Sequence, residues 1–131
     1  MAGRTFVICG AVLGGLGVAA GAFGAHSLKA LVTPDLLAVF ETGARYQMYH
    51  ALALLIAGGL PWAGRAERSA TVAGWAFLAG VALFSGSLYA LTFGAPRWLG
   101  AVTPLGGLSF IVGWGCLAAA ALRQPRTPHA R

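Results

Sequence analysis

In the stretch FETGARYQMYHALALLIAGGLPW, Phe40 to Trp62, the side chains of Glu41, Arg45, Gln47 and His50 stand directly against a run of Ala, Leu and Ile. A carboxylate, a guanidinium and an imidazole within three helical turns are the groups that move protons or hold a charged ligand. At ~100° per residue, Glu41, Arg45, Met48, Tyr49 and Leu52 share one helix face, and Gly43, Tyr46, Gln47 and His50 lie on a broad opposite one. With His26 from an earlier segment, the candidate polar cluster is His26, Glu41, Arg45, Tyr46, Gln47, Tyr49 and His50. A second candidate polar face, Ser85, Ser87 and Tyr89, comes from FSGSLYALT. Two readings stay open. In one, these groups lock helices to one another, with Glu41 and Arg45 paired at i, i+4. In the other, His26, Glu41, Arg45 and His50 line a small polar cavity in which histidine exchanges a proton near neutral pH.

Catalytic machinery is harder to find. Ser85-Gly-Ser87 lacks the Gly-x-Ser-x-Gly turn of a nucleophile elbow, and no triad can be assembled around it. We expect no catalytic residues, no cofactor and no metal site. Cys9 and Cys116 each lie in an apolar run, where a thiol behaves as a small hydrophobe, and no disulfide is expected. The net charge of +6 is not gathered into a basic patch with interleaved aromatics, so nucleic acid is not an expected partner.

The elements that must position these groups follow from composition. The chain has 131 residues, 58% hydrophobic and only 9% charged, far below the quarter or so charged of soluble domains. Uncharged runs from Thr5 to Ala25, Ser69 to Pro96 and Trp98 to Leu122 each reach the roughly 20 residues that cross a bilayer core. The fourth, Tyr46 to Gly64, is shorter and carries Gln47 and His50. It crosses only if its helix extends back toward Gly43, leaving the polar groups at or inside the boundary. The expected fold is all-α, a membrane four-helix bundle with spans at about 5–25, 43–62, 70–93 and 100–122. An outer interfacial helix start is expected at 34–42, and a basic cytoplasmic tail at 123–131. Arg4, Arg65, Arg68, Arg123, Arg126 and Arg131 then fall on one side, against Lys29, Arg45 and Arg97 on the other. By the positive-inside rule both termini are cytoplasmic. Arg4, an apolar run and Ala20-Gly-Ala22 imitate a cleavable signal peptide, but the uncharged run is long for a signal core and is expected to be retained.

An offset of 70 residues aligns FGAHSLKALVTP, Phe23 to Pro34, with FGAPRWLGAVTP, Phe93 to Pro104. It also pairs Gly10 with Gly80, Phe40 with Phe110 and Gly43 with Gly113. We read this as a parallel internal repeat of two helical hairpins. Each Thr-Pro marks a helix start, because Thr caps free N–H groups and Pro suits the first helical position. Gly43 is the expected bend of the second helix. The pairs Gly10/Gly14 and Gly17/Gly21 are expected to let helices approach closely, and Trp62, Trp75 and Trp98 to sit at the interface.

The blocks AGAFGAHSLK, FETGARYQMYHALALL, FSGSLYAL and LGAVTPLGGLSFIVGW closely resemble the YgdD/YwdK family of small bacterial inner-membrane proteins, over about residues 6–122. That family has eukaryotic transmembrane relatives and is labelled a domain of unknown function. The resemblance implies a multi-pass protein of the bacterial inner (cytoplasmic) membrane with four helices, and no established activity. The leading expectation is a non-enzymatic structural or accessory component of a membrane assembly, with the lipid bilayer and a homo-oligomer or larger membrane complex as partners. The alternative is a small transporter or a ligand- or lipid-binding membrane protein using the His/Glu/Arg cluster.

Overall fold

The computed structural model describes residues 1–61 and 67–122, and the regular structure among them is entirely helical. Four long helices run back and forth beside one another. The first is α1, Ala2–His26, and the second α2, Pro34–Gly59. The third is α3, Glu67–Gly80, continued by a π turn, Val81–Ser85, and by α4, Gly86–Thr92. The last is α5, Thr103–Leu122. The tail after Leu122, the loop arginine Arg65 and the interfacial Trp62 lie outside the described residues.

Local chemistry sets the ends. Thr33 caps α2, its Oγ1 accepting from Leu36 N at 3.4 Å, with Pro34 opening the helix and Asp35 in the first turn where the dipole favours a carboxylate. At the far end of α4, Gly94 takes a positive φ of 92°. Gly94 N donates to Leu91 O and Ala95 N to Ala90 O, the glycine-terminated helix stop, and Pro96 follows it. The second Thr-Pro also starts a helix, and the Thr103 hydroxyl is hydrogen-bonded to that of Ser87 at 2.7 Å.

The stretches Ala2–Ala30, Glu67–Thr92 and Arg97–Leu122 are long and apolar enough to cross a membrane. The second helix is not among them. Its 26 residues make it about 39 Å long, so length is sufficient, but Asp35, Glu41, Arg45, Gln47 and His50 remove its apolarity.

The expected bend at Gly43 is absent, since α2 continues through that position as one helix. The missing side chain serves packing instead. A Cβ on Gly43 would lie 3.0 Å from the Tyr89 ring, and the Gly43 carbonyl accepts from Ser85 Oγ at 2.8 Å. The irregularity sits in the third helix, where Gly86 N reaches back five residues to Val81 O, the signature of a π turn.

The glycine pattern of α1 also differs from expectation. Its buried glycines are Gly3, Gly10, Gly17 and Gly24, spaced by seven, the period that keeps one seam against a partner helix. Gly10 lies so close to α2 that a Cβ would stand 2.8 Å from Ala51 O, and one on Gly58 of α2 would stand 2.6 Å from Gly3 O. Gly14 and Gly21, the other members of the expected pairs, have at most distant neighbours. One glycine of each pair therefore makes the contact.

The second hairpin closes by a different device, with rings filling glycine notches. A Cβ on Gly80 would overlap the Phe110 ring, one on Gly113 the Phe77 ring, and one on Gly106 the backbone of Phe84. Phe6, Leu54, Phe77, Val81 and Phe110 join across all the helices into one core. At the opposite end Phe40 gathers Phe23, Tyr89 and Phe93, with ring centroids 4.9–6.1 Å apart. Trp75 and Trp98 are exposed; Trp75 meets Phe6 edge-on at 5.5 Å.

Candidate functional site

The polar side chains of α2 leave the helix in three directions. On one flank Glu41 and Arg45 are exposed and, with Met48, Tyr49 and Gly21, wall an open groove of about 470 Å³ against α1. The expected ion pair does not close: among the described residues none joins Glu41 to Arg45. On the opposite flank Tyr46, Tyr49 and His50 of α2 face Phe110, Ile111 and Trp114 of α5 across a groove of about 750 Å³. Tyr49 forms the ridge between the two grooves.

Gln47 points into the packing itself. Its Nε2 donates to Leu13 O of α1 at 2.8 Å, and its Oε1 accepts from Tyr89 OH of α4 at 2.8 Å. One amide thus fastens three helices. The carbonyl of Leu13 can take this donor as well as its intrahelical one, having two lone pairs.

His50 is buried, at 4% exposure. Its ring stacks on Phe110 with centroids 3.4 Å apart and planes at 6°. Nδ1 is 2.7 Å from Tyr46 O, and Nε2 accepts from Trp114 Nε1 at 3.2 Å. A carbonyl on one side and an N–H on the other require the neutral tautomer with its proton on Nδ1. A proton added at Nε2 would face the indole N–H. Both nitrogens are occupied, and neither is presented to the groove as a base.

His26, at the end of α1, is exposed and lines neither groove. The single cavity of His26, Glu41, Arg45 and His50 therefore does not form. The reason is helical phase: Glu41 and Arg45 are roughly 100° or more around α2 from His50. The second candidate face divides too. Ser85 is fully buried and, like Tyr89, bonds to α2. Ser87 turns the other way, to Phe84 O at 2.9 Å and Thr103 Oγ1.

Two partners were missed in the sequence. Trp114 sits well inside α5, eight residues from its end at Leu122, and an indole N–H at that depth needs an acceptor; that position was the available signal. Ser109, which donates to Ala76 O at 2.7 Å, stands among apolar neighbours in the same helix. Among the described residues, no buried side-chain nitrogen or oxygen is without a partner.

Four long helices, three of them apolar and of membrane-crossing length, with Gln47, His50 and Ser85 bonded inside the packing, define an α-helical membrane protein. The family model described as "Protein of unknown function (DUF423)" matches residues 20–107. The chain is 44% identical to the UPF0382 membrane protein YwdK of Bacillus subtilis, over 92% of this chain and 98% of that one. It is 44% identical to a UPF0382 membrane protein of Staphylococcus aureus, over 85% and 89% of the two chains. A third, from Staphylococcus epidermidis, is 41% identical over 92% and 97%. This chain belongs to that family, and the resemblance seen in the sequence holds. No solved structure matches it significantly.

Proposed function

We propose that this protein crosses the bacterial inner membrane four times, with both termini in the cytoplasm, and serves as a non-enzymatic structural or accessory component of a membrane assembly. The observation that carries this reading is where the polar groups of α2 end. Gln47 bridges α1 and α4, His50 takes the Trp114 indole of α5, and the Gly43 carbonyl takes Ser85. A helix whose buried polar groups are satisfied by its neighbours can lie in hydrocarbon without being apolar itself. Such bonds act as glue between helices, and they leave no activated base or nucleophile.

The proposed orientation rests on the sequence excess of Arg65, Arg123, Arg126 and Arg131, which lie outside the described residues; the described basic residues near the helix ends divide evenly between the two ends. Arg4 and Arg68 lie at one end, where Phe6 of α1 meets Trp75 of α3. Lys29 and Arg97 follow the helix ends at the other, where Phe23, Phe40 and Phe93 meet. The parallel repeat is supported by its turns: the 3-10 turn at Leu28–Ala30, moved by the 70-residue offset, falls within that at Arg97–Ala101.

Purification in mild detergent followed by mass measurement tests the assembly role. A particle larger than one chain is expected; a strictly monomeric particle with no companion polypeptide overturns it. A second reading, a ligand- or lipid-binding protein, draws on the groove of about 750 Å³ beside His50. It predicts that Glu41→Gln or His50→Ala alters a thermal shift or a proteoliposome flux, and it falls if both variants behave as wild type toward every ligand tried.

A further inference from the structure

Two grooves flank the exposed side of α2, and Tyr49 is the ridge that both share. One, of about 470 Å³, lies against α1 and runs from Glu41 past Arg45 to Met48 and Tyr49. The other, of about 750 Å³, lies against α5 and runs from Pro104 past Ile111 to Trp114. At ~1.5 Å per residue the first extends about 12 Å along α2 and the second about 15 Å along α5. On the four-crossing reading, on which this inference rests, both begin toward the outer boundary and end near the midplane of a core ~30 Å thick. Each is therefore as long as one acyl chain of one leaflet, and the ridge sets two such chains side by side.

The charges fall in a definite order. Glu41 is the outer of the two, and Arg45 lies one turn, about 6 Å, deeper. A phospholipid with an amine headgroup has the opposite order: its phosphate lies against the glycerol, and an ethylene link carries the ammonium outward. Laid along this face, the headgroup meets an opposite charge at each level. The guanidinium offers a phosphate its two parallel N–H donors, and its long side chain reaches toward the headgroup layer. The carboxylate accepts from the ammonium. Glu41 and Arg45 can also touch along their own helix; each then keeps an opposite charge on two sides, and the fit to the lipid is unchanged.

We propose that α2 holds one phospholipid with a primary-amine headgroup, of the phosphatidylethanolamine type, its phosphate on Arg45, its ammonium on Glu41 and its acyl chains on either side of Tyr49. The proposal deepens the ligand- or lipid-binding reading, naming the lipid class and assigning its recognition to Glu41 and Arg45. A choline headgroup carries the same charges but has no N–H for the carboxylate. A glycerol headgroup leaves Glu41 without a cation.

Full-length protein in mild detergent, titrated with phosphatidylethanolamine, phosphatidylcholine and phosphatidylglycerol of identical acyl chains and read by native mass spectrometry, tests it. Wild type is expected to hold one ethanolamine lipid at least about tenfold more tightly than either of the others. Glu41→Gln should erase that preference, Arg45→Gln should weaken all three lipids, and Glu41→Lys should turn the preference toward phosphatidylglycerol. Wild type that takes the three lipids equally overturns the proposal, as does an ethanolamine preference that survives Glu41→Gln or Glu41→Lys. The wild-type series needs no variant, so it decides even where a substitution unfolds the chain. Cysteines placed at Lys29 and Ser69 separate the two levels. Labelling from opposite sides without lipid preference removes the lipid site and leaves the four crossings standing, whereas labelling from one side removes both.

Discussion

Gln47 and Tyr89 are the residue pair whose removal should be most informative. Interhelical hydrogen bonds in membranes contribute about 0.6 kcal/mol on average and up to about 1.7 kcal/mol. Gln47→Leu breaks two of them, to Leu13 and to Tyr89. We expect a loss of roughly 1–2 kcal/mol in detergent-induced unfolding, and a smaller loss when Tyr89 is already Phe, because one of the two bonds is then gone. Equal losses in both backgrounds would show that the bond to Tyr89 contributes nothing. At this scale the sequence was informative about residue type and poor about direction. That Gln47 and His50 must find company was evident from their apolar surroundings. That two side chains about 60° apart on one helix would find different partners, Gln47 with α1 and α4 and His50 with α5, depends on where neighbouring helices stand, and periodicity of one helix carries no such information.

Among the elements, the glycines of the second hairpin make graded predictions. At Gly106 the opposing atoms include the backbone of Phe84, and at Gly80 only the ring of Phe110. A backbone can yield only by moving a helix, whereas a ring can turn. Gly106→Ala should therefore destabilise more than Gly80→Ala, both within the ~1–3 kcal/mol typical of overpacking. Gly115→Ala, with open space around it, should be neutral to slightly stabilising, since alanine favours helix by up to about 1 kcal/mol over glycine. Thermal unfolding of the three variants checks the order. Helix starts were legible because Thr33-Pro34 and Thr103-Pro104 are local signals. The heptad of Gly3, Gly10, Gly17 and Gly24 was present in the sequence as well, but the closer spacing of Gly10/Gly14 and Gly17/Gly21 masked it. The π turn at Val81–Ser85 was not legible: nothing in VALFS distinguishes it from α-helix, and the turn coincides with a tertiary contact, Ser85 Oγ donating to Gly43 O of α2.

For the molecule as a whole, the proposed topology gives an expectation independent of any activity. A cysteine placed at Lys29 or Trp98 should react with a membrane-impermeant thiol reagent added to intact spheroplasts. One at Arg4 or Ser69 should react only after the membrane is opened. The reverse pattern would invert the orientation, and labelling of Lys29 and Ser69 from the same side would remove a crossing. The all-helical class and three of the long helices follow directly from composition, as uncharged runs of sufficient length leave few alternatives. The second helix is where composition alone stops, because on the proposed topology its capacity to lie in lipid would come from partners and not from its own side chains.

That dependence reaches back to synthesis. A nascent chain presents α1 to the bilayer first and α2 next, and α2 with Glu41, Arg45, Gln47 and His50 partitions poorly alone. The glycine seam that lets α1 lie against α2 makes α1 the natural escort, so the two should enter as one folded hairpin rather than in succession. On the proposed topology, removing α1 should then leave α2 outside the bilayer: a fragment of α2 ending at Gly59 should be stripped from membranes by alkaline carbonate, whereas the α1–α2 hairpin should resist it.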